Sequence, residues 1–376
     1  MSERVDSPAP FDGIIVVMDG AEHVVGGLRL LERAAFVLAR AGARRLLCVG
    51  PRPPGQLRLP TVPLDWLDSS SGTSAEWQLH ATDSIVILGA TTIVDPATVS
   101  ALATAPGPAC LAIAPPATLW RGDRRVLETR TAGVVTTPPD AQRWQPPATA
   151  LVRVADDAPG RRDAERALYD RLGRTGDGWF TRVVDRRFSR FLTRRLLPTG
   201  VSPNQVTIMS ILIGIVGGCC FATGRSEIAA LGALLFLTST IIDGCDGEIA
   251  RLTFRESAFG ARLDILGDNL VHLFLFGGIA SGLYRRSADP TIAALGLGLV
   301  VGVLFAMATV YWCIVHREPS AAQKALYEAF ASREFAYLLV VLTLVGRLDW
   351  FLWLSAFGTY AFSIGLWILT RTRDPD

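Results

Sequence analysis

The chain has 376 residues, half of them hydrophobic and only 19% charged, with a mean hydropathy of +0.33. Soluble domains carry about 25% charged residues, so a disordered chain is excluded and the composition argues against a single ordinary soluble domain. With 37 basic and 35 acidic residues the net charge is +2, which implies no general polyanion partner and no nucleic acid.

The cations are nearly all arginine; Lys324 is the one lysine. Cys48, Cys110, Cys219, Cys220, Cys245 and Cys313 show no metal-ligand spacing and read as reduced packing residues. Residues 1–10 are polar and lack the apolar stretch of a secretory leader.

Residues 1–157 are expected to form a soluble, Rossmann-like α/β domain. GIIVVM (13–18), RRLLCVG (44–50), DSIVILG (83–89) and CLAIA (110–114) read as buried strands, and LRLLERAAFVLARAG (28–42) as an amphipathic helix between the first two. Strands alternating with helices predict a largely parallel sheet. A Pro-rich stretch at 138–147 approaches the end of this domain. A linker follows over 158–177, with a charged helix at 160–174 and a break at Gly176-Asp177-Gly178. No internal repeat is visible.

Segment 178–200 carries six Arg and one Asp. Phe180, Val183, Val184, Phe188, Phe191, Leu192 and Leu196 recur at helical spacing while the arginines take the other face. That pattern predicts an amphipathic juxtamembrane helix lying on anionic lipid; the plainer alternative is a solvated basic helix packed on the N-terminal domain.

A helix needs roughly 20 apolar residues to cross the hydrocarbon. Within 201–376, six runs approach that length, giving an all-α six-helix transmembrane domain: 204–223, 226–243, 264–284, 291–315, 333–346 and 349–370. The fifth run is short. Basic residues concentrate before the first run, in the 251–262 and 316–334 loops, and in the tail. The positive-inside tendency then places both termini in the cytoplasm of a multi-pass cell (inner) membrane protein. Arg285 and Arg286 fall on the opposite side.

The stretch IIDGCDGEIARLTFRESAFGARLDILGDNL (241–270) sets four aspartates at the edges of apolar helices. Asp243 and Asp246 are three apart, and Asp264 and Asp268 four apart, so each pair shares a helix face. Carboxylates near hydrocarbon are costly unless paired, hydrated or metal-bound. Four converging charges repel, and two divalent cations would cancel them. Oxygen ligands without His or Cys suit Mg²⁺, with Mn²⁺ as the alternative. Two such ions can clamp a pyrophosphate. Gly247, Ala250 and Gly260 leave room for a ligand to approach the backbone, and Arg251 supplies a cation shaped for phosphate. Helix caps and interfacial charges explain any one of these aspartates, but not four at these spacings.

The pattern Asp243-x2-Asp246-Gly247-x2-Ala250-Arg251-x8-Gly260-x3-Asp264-x3-Asp268 resembles the signature of the CDP-alcohol phosphatidyltransferases at every fixed position. Ser202-Pro203-Asn204-Gln205-Val206-Thr207 looks like that family's entry to its first membrane helix, and the resemblance covers about 178–371. It implies transfer of a phosphatidyl or similar group from CDP-diacylglycerol to a small alcohol, with release of CMP. It also implies that Asp243, Asp246 and Asp264 hold two metal ions, with Asp268 touching metal and acting as general base. Asp243, Gly247, Ala250, Arg251 and Gly260 would line the CDP site, and the chain would pair as a homodimer through its membrane helices.

The opening strand, GGLRLLERAAFVLARAG and the second strand are similar to the start of sugar-phosphate nucleotidyltransferases. The junction 174–190 resembles that of the bifunctional inositol-phosphate cytidylyltransferase/di-myo-inositol phosphate phosphate synthases, which fuse such a domain to a membrane phosphotransferase. Three departures predict an inactive domain. Met18-Asp19-Gly20 is followed closely by Gly26-Gly27, without the longer Gly-rich loop; no Lys precedes Lys324; and Gly89-Ala90 stands where the family has Gly-Asp. Nucleotide phosphates would find no cradle, cation or metal ligand there.

A phosphorylated acceptor needs cations beside the metals. Arg190, Arg194, Arg255, Arg262 and Arg317 are available, and each could equally be a headgroup or solvated Arg. His272, one turn past Asp268, is expected to make an interhelical hydrogen bond, with a place facing the acceptor cavity as the alternative. The fusion resemblance favours inositol phosphate, with glycerol phosphate and phosphatidylglycerophosphate synthesis as the alternative. Two readings from other classes are an ion-coupled transporter, which would place acids near mid-span, and a catalytically dead anchor for the α/β domain.

Overall fold

The computed structural model describes residues 10–67, 84–111, 119–122, 141–172, 184–317, 319–330 and 334–371. Two compact units divide the chain, residues 1–171 with Leu252–Phe254, and residues 172–251 with 255–376.

In the first unit, short aliphatic runs form β1 (Phe11–Val16), β2 (Val24–Val25), β3 (Leu28–Arg29), α1 (Leu30–Arg40), β4 (Ala43–Val49), β5 (Leu64–Leu67) and β6 (Ile85–Gly89). They continue as β7 (Thr92–Val94), α2 (Pro96–Ala103), β8 (Ala109–Leu111), β9 (Leu119–Gly122), β10 (Gln142–Trp144), β11 (Val152–Val154) and α3 (Ala158–Asp170). The main sheet has the order β10-β8-β9-β6-β1-β4-β5. β1 lies parallel to both β4 and β6, and β5 parallel to β4, so the expected parallel centre is present. β9 runs antiparallel to β6 and β8, which makes the sheet mixed. Of the run at 110–114, Cys110 and Leu111 fall in β8, and 112–114 lie outside the described residues.

The central strands are apolar on both faces, as buried parallel strands must be. Ile15, Leu46, Cys48, Val86 and Leu88 pack with Leu31, Ala35 and Leu38 of α1, while Ile14, Val49, Ile85, Ile87 and Trp120 form a second cluster. Burial pushes the Cys48 thiol up to about 12, so it stays protonated and acts as a packing residue. Phe254 also belongs to this unit; its ring stacks on Phe36 at 5.4 Å.

The turn after β1 is closed on itself. The amides of Ala21, His23 and Leu31 donate to the carbonyls of Met18, Gly20 and Ala21. Glu32 accepts from the Arg29 amide at 3.1 Å and so caps α1. These donors, which could otherwise receive an anion at a helix start, are engaged within the protein.

The second unit is helical: α4 (Arg186–Leu196), α5 (Pro203–Ala222), α6 (Ser226–Leu252), α7 (Ala258–Ser287), α8 (Pro290–Val310), α9 (Ala321–Phe330), α10 (Phe335–Leu344) and α11 (Leu348–Arg371). Ser202 and Gln205 form a capping box with Pro203 in the first turn, which fixes where α5 starts. Among the described residues five helices, α5 to α8 and α11, are long and apolar enough to cross a membrane. The run at 333–346, expected as another crossing, yields the 10-residue α10. At 1.5 Å per residue it rises about 15 Å, half the hydrocarbon thickness. α9 arises within the 316–334 segment expected to be a loop. Leu212, Leu234, Leu297, Leu304, Phe357 and Ile368 are exposed on these helices, an arrangement that suits a bilayer as solvent.

Glycines let α5 and α7 cross closely. A Cβ on Gly218 would stand 2.6 Å from the Phe274 carbonyl carbon, and one on Gly214 2.6 Å from Val271 Cγ1. Gly278 and Gly282 on α7 would overlap the carbonyl oxygens of Gly218 and Phe221. The Gly214-x3-Gly218 face therefore packs within the chain. Gly218→Leu is expected to lower stability by about 1–3 kcal/mol through overpacking, read as a fall in the thermal unfolding midpoint in detergent.

Candidate active site

Asp243 and Asp246 stand one turn apart near the end of α6, and Asp264 stands in the second turn of α7. One carboxylate oxygen from each lies within 4.8 Å of the others. Asp246 is buried, and Asp243 and Asp264 are half-buried. Asp268 lies one turn further along α7, is exposed, and falls outside this group of three.

Asp246 is the most constrained member. Thr207 Oγ1, from the first turns of α5, donates to one of its oxygens, and the Gly247 amide donates to the other. Thr207 and Ser210 are themselves buried. The start of α7 is set by Ser257, whose hydroxyl accepts from the Gly260 amide at 3.0 Å.

The small residues of the motif are crowded by neighbours. A Cβ on Gly247 would meet Arg251 Nη1 at 3.1 Å, because the guanidinium lies over the preceding turn of its own helix. A Cβ on Gly260 would meet Asn204 Oδ1 at 3.0 Å and Ser257 Oγ at 3.1 Å. Gly260 thus brings Asn204, in the first turn of α5, against the start of α7. Ala250 and Arg251 are half-buried.

The donor set fits a hard divalent cation. Three carboxylates converge, no His or Cys joins them among the described residues, and anions at this separation repel without a counter-ion.

The cationic candidates are less gathered. Arg190 is half-buried and Arg194 exposed on α4; Arg255, Arg262 and Arg317 are exposed. The expected hydrogen bond of His272 is replaced by ring contacts. Its ring lies 5.9 Å from Phe276, 5.6 Å from Phe335 and 6.3 Å from Phe236. Those neighbours offer π faces and no acceptor.

Sequence reasoning passed over two residues. Glu248, between Asp246 and Ala250, is fully buried and accepts from Arg186 Nη1 at 3.1 Å, Ser189 Oγ at 2.7 Å and Thr193 Oγ1 at 2.8 Å. An acid inside an apolar helix was its only signal. Thr207 closes the hexapeptide from Ser202, and its tie to Asp246 depends on the α5–α6 packing. The amphipathic stripe at 178–200 also divides: Leu192 and Leu196 pack inward, Phe188 and Phe191 are exposed, and 178–183 lie outside the described residues.

Apolar helices that join an acidic pair on one to a third acid on the next define a polytopic membrane protein with a three-carboxylate cluster that a divalent cation would fit. Residues 200–367 match the family model of CDP-alcohol phosphatidyltransferase. The chain is 35% identical over 135 residues to the bifunctional IPC transferase and DIPP synthase of Archaeoglobus fulgidus, 36% of this chain and 26% of that protein. Its likeness to the protein of the same name from Rubrobacter xylanophilus is 39% over 128 residues, 34% of this chain and 28% of that one. The phosphatidylinositol phosphate synthase of Streptomyces avermitilis is 34% identical over 109 residues, 29% of this chain and 42% of that protein. The chain spans about a quarter of the length of the first two relatives. A crystal structure of Mycobacterium tuberculosis phosphatidylinositol phosphate synthase with CDP-DAG bound aligns at 19% identity and a TM-score of 0.37, covering 49% of this chain and 93% of that one.

Orientation of a ligating carboxylate by a neighbouring donor is worth about 10- to 100-fold in metal affinity. Thr207→Val is therefore expected to weaken Mn²⁺ binding about tenfold, and Asp246→Asn to abolish it, as measured by electron paramagnetic resonance on the solubilised protein.

Proposed function

We propose that the chain is an integral-membrane CDP-alcohol phosphotransferase that moves a phosphatidyl or similar group from CDP-diacylglycerol to the hydroxyl of inositol phosphate, releasing CMP. The observation that carries this reading is the convergence of Asp243, Asp246 and Asp264 within 4.8 Å, inside the segment that matches the family. The names of the relatives, inositol-lipid phosphate synthases among them, support a phosphorylated inositol as acceptor over glycerol phosphate.

Asp243, Asp246 and Asp264 would hold two Mg²⁺ ions, which when bound neutralise pyrophosphate charge and steady the entering and leaving oxygens. The protein's own groups do the rest. Arg251, laid across Gly247, presents a planar fork to a phosphate of the CDP moiety. Gly247, Ala250 and Gly260 let the nucleotide approach the backbone. Asp268, exposed one turn beyond Asp264, takes the proton from the acceptor hydroxyl on a carboxylate oxygen. Attack at phosphorus then requires charge compensation more than covalent help. Arg190 and Arg194, with Arg255 and Arg262 from the stretch between Asp246 and Asp264, meet the phosphate of the acceptor. The basic loops support a site and both termini on the cytoplasmic side, and the family resemblance supports a homodimer.

Asp268→Asn is expected to cut CMP release from CDP-diacylglycerol at least about 100-fold, the scale of a lost general base, while the protein still inserts in membranes. Near-normal turnover would remove Asp268 from that role.

The N-terminal domain is read as a non-catalytic scaffold. Its post-β1 turn engages its own amides, and Ala90, where the related enzymes carry an acid, is buried with its amide on the Val16 carbonyl. The full chain incubated with CTP and inositol phosphate is expected to release no pyrophosphate above background; pyrophosphate release would make this domain an enzyme.

A further inference from the structure

We propose that Glu248 is a positioning residue for the acceptor: it fixes the roll of α4 about its own axis and so holds Arg190 and Arg194 where the acceptor's phosphate binds. The inference rests on the reading above that these arginines meet the acceptor.

Glu248 is 0% exposed. A buried carboxylate is stable only when its charge is paired and its oxygens are hydrogen-bonded. All three of its partners come from α4, and all three are buried: Arg186, Ser189 and Thr193. Spaced three and four apart, they form one stripe along the helix. Leu192 and Leu196 occupy one flank of that stripe, packed with Val206, Ile242, Cys245 and Ile249. Arg190 and Arg194, at successive steps of four from Arg186, occupy the other flank. Phe188 and Phe191 are each 59% exposed.

The chemistry of the stripe separates roles among five arginines on one short helix. Glu248 accepts from a single guanidinium, that of Arg186, and its remaining capacity is filled by two hydroxyls. A roll by one residue, about 100°, would bring Arg190 and Arg194 against Glu248 in place of Ser189 and Thr193. A hydroxyl on a one-carbon stem fits the space beside a buried carboxylate; a second and third guanidinium would not. The short donors at 189 and 193 therefore keep the two long cations on the flank.

The contact stands beside the aspartates. Cys245 Sγ lies 3.5 Å from the Ser189 carbonyl oxygen, and Cys245 and Glu248 bracket Asp246 in α6. Two positions on from Asp246, Glu248 is turned about 200° around the helix, so it braces the ligand-bearing turn from behind. A second tie holds the start of α4, where Tyr337 of α10 donates to Asp185. With its start and its middle held, the helix has one rotational setting.

The test uses the full-length protein in detergent micelles with CDP-diacylglycerol and myo-inositol phosphate, following CMP release. Each of Glu248→Gln, Ser189→Ala and Thr193→Val is expected to raise KM for inositol phosphate about tenfold, the fold-change of one hydrogen bond to a charged group. The Mg²⁺ concentration for half-maximal rate should stay within about twofold, because Asp243 and Asp246 lie across α6 from Glu248. Arg190→Ala and Arg194→Ala should raise the same acceptor KM. Thr193→Val changes a hydroxyl at constant volume, so it reports even if Glu248→Gln does not fold. If the arginine variants raise the acceptor KM but folded Ser189→Ala and Thr193→Val leave it unchanged, the positioning role is overturned. A parallel loss in every parameter, as a purely structural contact gives, overturns it too. An unchanged acceptor KM in the arginine variants overturns the acceptor-site reading itself, and this inference with it.

Discussion

Three carboxylates within 4.8 Å of one another, on helices otherwise suited to hydrocarbon, set the requirement that the second unit meets. At the effective dielectric of a protein edge, two unit charges at that distance repel by about 3 kcal/mol. No helix propensity or surface contact in this region is of that size. A divalent cation would relieve that repulsion, and the surrounding structure orients the oxygens. Thr207 and the Gly247 amide fix Asp246, the Ser257 cap fixes the start of α7, and the glycine crossing of α5 and α7 sets their approach.

α6 carries a second kind of anion on its other face. Glu248 is satisfied from within the protein by one guanidinium and two hydroxyls, whereas one carboxylate oxygen from each of Asp243, Asp246 and Asp264 converges with the others. The two faces of one helix thus separate an anion that organises the protein from anions that suit a ligand. The difference lies in what the facing helix offers. α4 brings short hydroxyl donors and one arginine to Glu248, and α7 brings another acid to Asp243 and Asp246.

Much of the fold was legible because long-period signals are hard to counterfeit. Continuous apolar runs marked β1, β4 and β6, the 28–42 pattern marked α1, and five long apolar helices stand where hydropathy expected them. β5, β9 and β10 were not legible; three or four residues without alternation carry no period to read. α9 was hidden in a polar segment because its role depends on packing beside α11. Gly214-x3-Gly218 announced close helix packing but not its partner, which only the carbonyls of α7 identify.

By itself the sequence determined that acids would gather near residues 241–270, since spacing on a helix is set by covalent geometry and dictates which side chains share a face. It also determined that the helices bearing them would need an apolar solvent, because composition decides that without reference to neighbours. Only the tertiary structure decided that Asp264 joins Asp243 and Asp246 while Asp268 stands apart, that Thr207 orients Asp246, and that Glu248 faces α4. Each of these is a relation between helices distant along the chain. The approach and rotation of such helices come from glycine contacts and buried donors that no periodicity encodes.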